Sequence, residues 1–199
     1  MTSGHESDRT TEKIMEATYQ ALCEHGYPAT SISKIADEFE KSKSLLYYHY
    51  EDKEELLTDF LRYLLDQLEA ELAPAEGKNP TERLVAILDR LCPREVNDEG
   101  MHFRRALLEI RTQAPYREAY QEQFERSDDL ILGEITDAIE DGIDGGVFRA
   151  VDAQQTAEFI YSTVHGTIEL GVTLEDTTIF DRNRAMIDEY IDSHLRSSS

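Results

Sequence analysis

Two of the 199 residues are cysteine, Cys23 and Cys92. They show no CxxC and no paired spacing, which argues against a disulfide framework and a zinc site and predicts two buried, reduced thiols. Lysine is scarce: it supplies six of the 20 basic residues, and five of them (Lys13, Lys34, Lys41, Lys43, Lys53) fall in the first 53 positions. No run approaches the ~18 apolar residues needed to cross a bilayer, and the start MTSGHESDRTTEK lacks the basic and then apolar pattern of a signal peptide. A soluble, intracellular, cytoplasmic protein with no membrane partner is expected. Enzyme signatures are missing as well. There is no GxSxG, no phosphate-binding loop, no HExxH and no dinucleotide fingerprint after a strand, so no enzyme and no cofactor are expected. His165 and Glu169 stand at i and i+4 without a third ligand, and no metal site is expected. Neither a strand pattern nor an internal repeat is visible.

Acid is abundant. Forty-two Asp and Glu give a net charge of -22, and 40% hydrophobic residues are enough for a core in one large or two small domains. Self-repulsion of that order opposes compaction unless it is screened. At 1 M ionic strength the Debye length is about 3 Å, so concentrated salt would screen it. The composition resembles that of a protein from a salt-accumulating halophile; an ordinary acidic cytosolic protein is the alternative. Residues 1–53 hold six bases and ten acids, net -4, while 54–199 hold 14 bases and 32 acids, net -18. The less negative first part hints at a polyanionic partner.

The hydrophobic spacing is helical throughout. Ile14, Ala17, Thr18, Ala21 and Leu22 mark a helix from about Thr10 to His25, stopped by Gly26. Thr30 and Ser31 are cap candidates for a short helix carrying Ile32, Ile35, Ala36 and Phe39. After the polar turn EKSK, Ser42 can cap a third short helix with Leu45, Leu46 and His49. Two short helices joined by a tight polar turn make a helix-turn-helix layout. Asp52 and Glu55 form a capping box for a long helix to about Leu72. Asn79, Pro80 and Glu82 open a helix to about Leu91, and Phe103, Ala106, Leu107 and Ile110 mark another. Pro115 is expected to open a long helix. Asp152 and Gln155 cap a helix over about Gln154 to Thr173, and the last runs from about Arg182 to Leu195. The expectation is all-α, about nine helices.

The segment from Ile14 to about Leu57, above all LYYHYEDKEELL, resembles the DNA-binding part of the tetracycline-repressor (TetR) family of one-component transcriptional regulators. The resemblance implies a three-helix helix-turn-helix DNA-binding domain over 1–53 and a larger helical dimerisation and ligand-binding domain over 54–199. It implies that Thr30 and Lys53 hold phosphates, where helix N-termini also offer free N–H groups. Ser42, Lys43, Ser44, Leu45, Tyr47, Tyr48 and His49 lie on or beside the recognition helix. Lys43, Ser44, Leu45 and Tyr48 are the candidates for base edges, and Tyr47 and His49 for the backbone. Against the family pattern, Glu40 and Lys41 replace Gly-Val in the turn, and Ser44 and Leu45 replace Gly-Thr. A non-glycine residue at Glu40 costs about 1–2 kcal/mol if the turn needs positive φ, and Leu45 can touch a thymine methyl.

The implied partners are double-stranded DNA carrying a palindromic operator, a second copy of the chain, and a small-molecule effector. Phe103, Tyr116, Tyr120, Phe124, Tyr161 and His165 are candidates for an effector cavity, with core packing as the alternative for each. The reading is a homodimeric repressor released by its effector. The alternatives are a ligand-independent repressor or activator of the same fold, and a helical ligand-binding protein without specific DNA binding.

Overall fold

The computed structural model describes residues 3–39, 43–73 and 79–197, and for 3–8 and 43 the backbone alone. Among the described residues the chain forms nine α-helices: α1 (Ser3–Ala29), α2 (Ile32–Glu38), α3 (Lys43–His49), α4 (Lys53–Leu72), α5 (Pro80–Leu91), α6 (Asp98–Arg111), α7 (Glu118–Asp144), α8 (Ala153–Thr173) and α9 (Thr178–Tyr190). A 3-10 turn at Ala114–Tyr116 and a π-helical turn at Ile191–Leu195 complete it, with one isolated backbone bridge between Phe148 and Arg196. The fold is all-α, with a helix-turn-helix region at its N-terminal end.

The helix starts follow from their caps. Asn79 accepts the Glu82 N–H at 2.9 Å while the Glu82 carboxylate accepts the Asn79 N–H at 3.3 Å, so α5 opens on a full capping box with Pro80 at its first position. Asp152 accepts the Gln155 N–H at 2.9 Å and opens α8. Gly26 takes φ 68°, the left-handed region that suits a residue without Cβ, and breaks α1 there before helical turns resume to Ala29. The expected opening of the long helix at Pro115 is corrected. Pro115 lies in the 3-10 turn, and Arg117, extended at φ -143° and ψ 99°, separates that turn from α7. The last helix begins earlier than expected, at Thr178, and loosens into the π turn from Ile191. The turn residues Glu40, Lys41 and Ser42 lie outside the described residues.

The chain divides into two compact units. The first, Met1–Gln67 with Asp98–Glu125, has one apolar core. Ile14, Met15 and Leu22 of α1 meet in it with Ile35 and Ala36 of α2, Leu46 of α3, Leu56, Leu57 and Phe60 of α4, Ala106 and Ile110 of α6, and Tyr120 of α7. The helix-turn-helix thus shares its core with residues far along the chain. Neither cysteine forms a disulfide: Cys23 is half-buried, against the expected burial, with Tyr19 and Glu99 beside it, and Cys92 is buried.

The second unit is Leu68–Asn97 with Arg126–Ser199. Leu84, Ile87 and Leu88 of α5, Ile135 and Ile139 of α7, Ile160 and Val164 of α8, and Phe180 and Ile187 of α9 are buried in it. Buried Arg184 gathers the Asp89 carboxylate at 2.7 Å, Asp188 at 3.0 Å and the Cys92 carbonyl at 3.2 Å. Helix α8 packs on α9 where Gly171 leaves room for the Phe180 ring.

A Cβ on Gly171 would stand 2.3 Å from that ring, whereas one on Gly133 of α7 would meet nothing within 4 Å. Gly171→Ala is therefore expected to destabilise by about 1–3 kcal/mol through overpacking. Gly133→Ala should stabilise by up to about 1 kcal/mol through helix propensity. Urea unfolding measures both, and equal effects would contradict the packing described.

Candidate DNA interface

Helix α3 is only seven residues long, so its orientation comes from what it buries. Leu46 is fully buried and Tyr50, four residues on, is buried too; the Tyr50 N–H donates to the Leu46 carbonyl at 3.0 Å. With these two turned inward, Ser44, Tyr47, Tyr48 and His49 are exposed, Tyr47 by 54% and Tyr48 by 84%. His49 meets the Tyr48 ring edge-on at 5.6 Å between centroids. Leu45 is half-buried and packs on the core, which gives it a structural task beside any contact with DNA. Ser42 lies outside the described residues, and Lys43 is placed by its backbone alone, at the first position of α3.

Ser31 caps α2, its hydroxyl accepting the Lys34 N–H at 3.3 Å. Thr30, the other cap candidate, is only 3% exposed. Its hydroxyl donates inward, with the Gly26 carbonyl at 2.7 Å and the Ala21 carbonyl at 3.2 Å. Thr30 thus holds the α1–α2 turn together. The expected Asp52–Glu55 box at α4 forms with one shift: Asp52 accepts the Glu55 N–H at 2.9 Å, but the Glu55 carboxylate reaches the N–H of Glu51 at 2.8 Å. Lys53, next in line, donates its ammonium to the Tyr27 carbonyl and stands 3.9 Å from the Tyr27 ring centroid. Burial, and then the Arg117 charge, lower the Lys53 pKa from the ordinary lysine value. Arg117 itself pairs with Glu54.

The effector candidates fall into both units. In the first, Phe103 lies between Tyr19, at 4.7 Å, and Phe60, at 6.4 Å; Tyr120 is fully buried; and Phe124 packs on the core under the Arg111 guanidinium at 4.9 Å. Tyr116 is 85% exposed. In the second, the Tyr161 hydroxyl donates to Asp128 at 2.5 Å and His165 meets the Tyr161 ring edge-on at 4.3 Å. Among the described residues no group of three or more His, Cys, Asp or Glu could hold a metal, and no helix is long and apolar enough to cross a membrane. The residues that sequence reasoning missed are Tyr50, Tyr27, Glu109 and Arg117. Tyr50 carries a readable signal, its i+4 spacing from Leu46, while the others act across long separations.

Two short helices packed on one core, the second with Tyr47 and Tyr48 turned outward, give the helix-turn-helix layout found in DNA-binding regulators. Residues 14–59 match the family model described as bacterial regulatory proteins, tetR family, and residues 80–196 that described as BetI-type transcriptional repressor, C-terminal. The chain belongs to the TetR family of transcription regulators, which are not enzymes. It is 38% identical to a TetR transcription regulator from Haloarcula marismortui ATCC 43049, whose crystal structure it matches with a TM-score of 0.86 over 95% of this chain and 100% of that one. It is also 27% identical, over 72% of its length and 74% of the relative's, to the uncharacterized HTH-type transcriptional regulator YhgD of Bacillus subtilis (strain 168).

Burial pushes the phenols of Tyr50 and Tyr120 well above the ordinary tyrosine value, aided at Tyr50 by the Asp59 charge and at Tyr120 by Tyr27. The unfolded chain ionises both near pH 10 while the folded chain keeps them protonated. Their contribution is therefore intact below about pH 10 and is lost as the pH rises above it. Denaturant unfolding between about pH 9 and about pH 11 should show falling stability, with a shallower fall in Tyr50→Phe and Tyr120→Phe. An unchanged slope in both variants would refute this assignment.

Proposed function

We propose that the protein binds a palindromic operator as a homodimer and represses transcription from it until a small molecule releases it. The observation that carries the reading is the exposed face of α3: in a chain of net charge -22, Tyr47, Tyr48, His49 and Ser44 present a surface without a carboxylate. Tyr48 and Ser44 reach base edges in this reading, with Lys43. Lys53, with the N-termini of the short helices, holds phosphates. An ammonium has three N–H donors, so its bond to the Tyr27 carbonyl is compatible with a phosphate contact.

The dimer reading is supported by the apolar surface of α8 and α9. Phe159, Leu170 and Met186 are each at least half exposed. Phe159 and Leu170 are eleven residues apart, three helical turns, so they share a face of α8. Phe159 also contacts Tyr190 of α9 at 4.9 Å between centroids. A two-fold axis through such a surface gives a four-helix interface, and a dimer can read a palindrome, whose half-sites in such operators lie about 34–36 Å apart. For the effector, Asp128, Tyr161 and His165 combine a carboxylate with aromatic faces. The close packing of Phe103 and the full burial of Tyr120 favour a second reading at those positions, a regulator with a filled core and no effector.

The high acid content supports a protein working in concentrated salt, where counterion release contributes little to DNA affinity and direct hydrogen bonds and base contacts contribute more. The test is selection of genomic DNA fragments by the purified protein in molar KCl. Enrichment of a shared palindrome is expected. Tyr48→Ala should then weaken binding to that fragment by about 1–3 kcal/mol, and Phe159→Glu should leave a monomer by sedimentation. Enrichment without a common sequence, or none at lower salt, would overturn specific regulation.

A further inference from the structure

The α1–α2 turn is held from a distant part of the chain. Glu109, on the last turn of α6, accepts the Tyr27 N–H at 2.8 Å, a bond spanning 82 positions. Gly26 lies against the same carboxylate: a Cβ there would stand 3.2 Å from a Glu109 oxygen. On the other side of the Tyr27 residue, its carbonyl accepts the Lys53 ammonium and its ring lies under that ammonium. Glu109 therefore fixes Tyr27, and Tyr27 fixes Lys53. Arg117, extended before α7, pairs with Glu54 beside Lys53, so the first turn of α4 is also held from this region. All these residues belong to the first compact unit.

We propose that Glu109 is a positioning residue for DNA binding: without touching DNA it sets the Tyr27 turn and, through it, the place of the Lys53 ammonium. The inference rests on the reading of Lys53 as a phosphate ligand. Its sign separates it from simple electrostatics. Glu109 is an anion close to that ammonium, so a charge effect alone makes its removal strengthen the attraction of phosphate. A positioning effect makes its removal weaken DNA binding, because an ammonium on a four-carbon stem regains its freedom when its anchor moves.

The experiment titrates the DNA fragment enriched in the genomic selection with the wild type, Glu109→Ala, Glu109→Gln, Glu109→Asp, Lys53→Ala and the double variant Glu109→Ala/Lys53→Ala, each checked for a native melting transition. Expected are at least a fivefold loss in Glu109→Ala and recovery to within about twofold in Glu109→Gln, whose amide oxygen still accepts the Tyr27 N–H. In the Lys53→Ala background the Glu109→Ala change should have less than a twofold effect, since the two residues act as one chain of contacts. Glu109→Asp keeps the charge and shortens the reach; it should lose affinity too, and it gives the same reading if the alanine variant does not fold. Wild-type affinity in both Glu109→Ala and Glu109→Asp, equal losses in Ala and Gln, or multiplying effects of the two sites would overturn the inference while leaving the regulator reading intact. A wild type that retains no fragment, or a Lys53→Ala variant of full affinity, overturns the phosphate reading and the inference with it.

Discussion

Burial of a few side chains from two very short helices is the constraint on which the DNA-reading part depends. α2 and α3 have seven residues each, well under the ~12–15 at which even a favourable isolated helix becomes marginal in water. They hold their shape because Ile35, Ala36, Leu46 and Tyr50 are buried in a common core. Each large apolar side chain contributes about 1.5–3 kcal/mol by leaving water, but α1 and α4 do not enclose that core alone. Ala106 and Ile110 from α6 and Tyr120 from α7 belong to it as well. The exposed aromatic face of α3 is thus presented by a unit assembled from two separate stretches of the chain, Met1–Gln67 and Asp98–Glu125.

The same logic governs the charges. With acids outnumbering bases by 42 to 20, several arginines serve as centres around which carboxylates are gathered. Arg83 holds Glu134 at 2.8 Å and Asp141 at 2.9 Å, and the buried Arg184 holds Asp89 and Asp188. Removing such a centre leaves the largely buried Glu134 or the partly buried Asp188 without its partner, which costs more than the pair contributes when intact. In the first unit Lys53, the one lysine of α4, is likewise engaged, through Tyr27. An acidic chain that approaches phosphate has few cations to bring, and the placement of each one matters.

The helical plan was legible because it rests on local signals. The caps at Asn79, Asp152 and Asp52 and the glycine break at Gly26 all depend on residues within four positions of one another, and the periodicity of Leu56, Leu57, Phe60 and Leu61 points at the core they join. The outward position of Tyr47 and Tyr48 follows from the same period. The parts that were not legible depend on separation. Nothing near Pro115 announces that Arg117 will be extended to reach Glu54, 63 positions back, and nothing near Tyr27 announces its bond to Glu109. The inward turn of the Thr30 hydroxyl was not legible either, since it depends on the carbonyls of Ala21 and Gly26 at the broken end of α1 coming within reach.

The measurement that bears most directly on this account is the thermal melt, by far-UV circular dichroism in molar KCl, of a chain ending at Leu72, which keeps α1 to α4 whole and removes α6 and α7. The shared core predicts that this shortened chain melts without a cooperative transition and fails to retain the DNA fragment bound by the full protein. A sharp transition with undiminished, sequence-specific DNA binding would contradict the central claim that the reading head is completed by residues from α6 and α7.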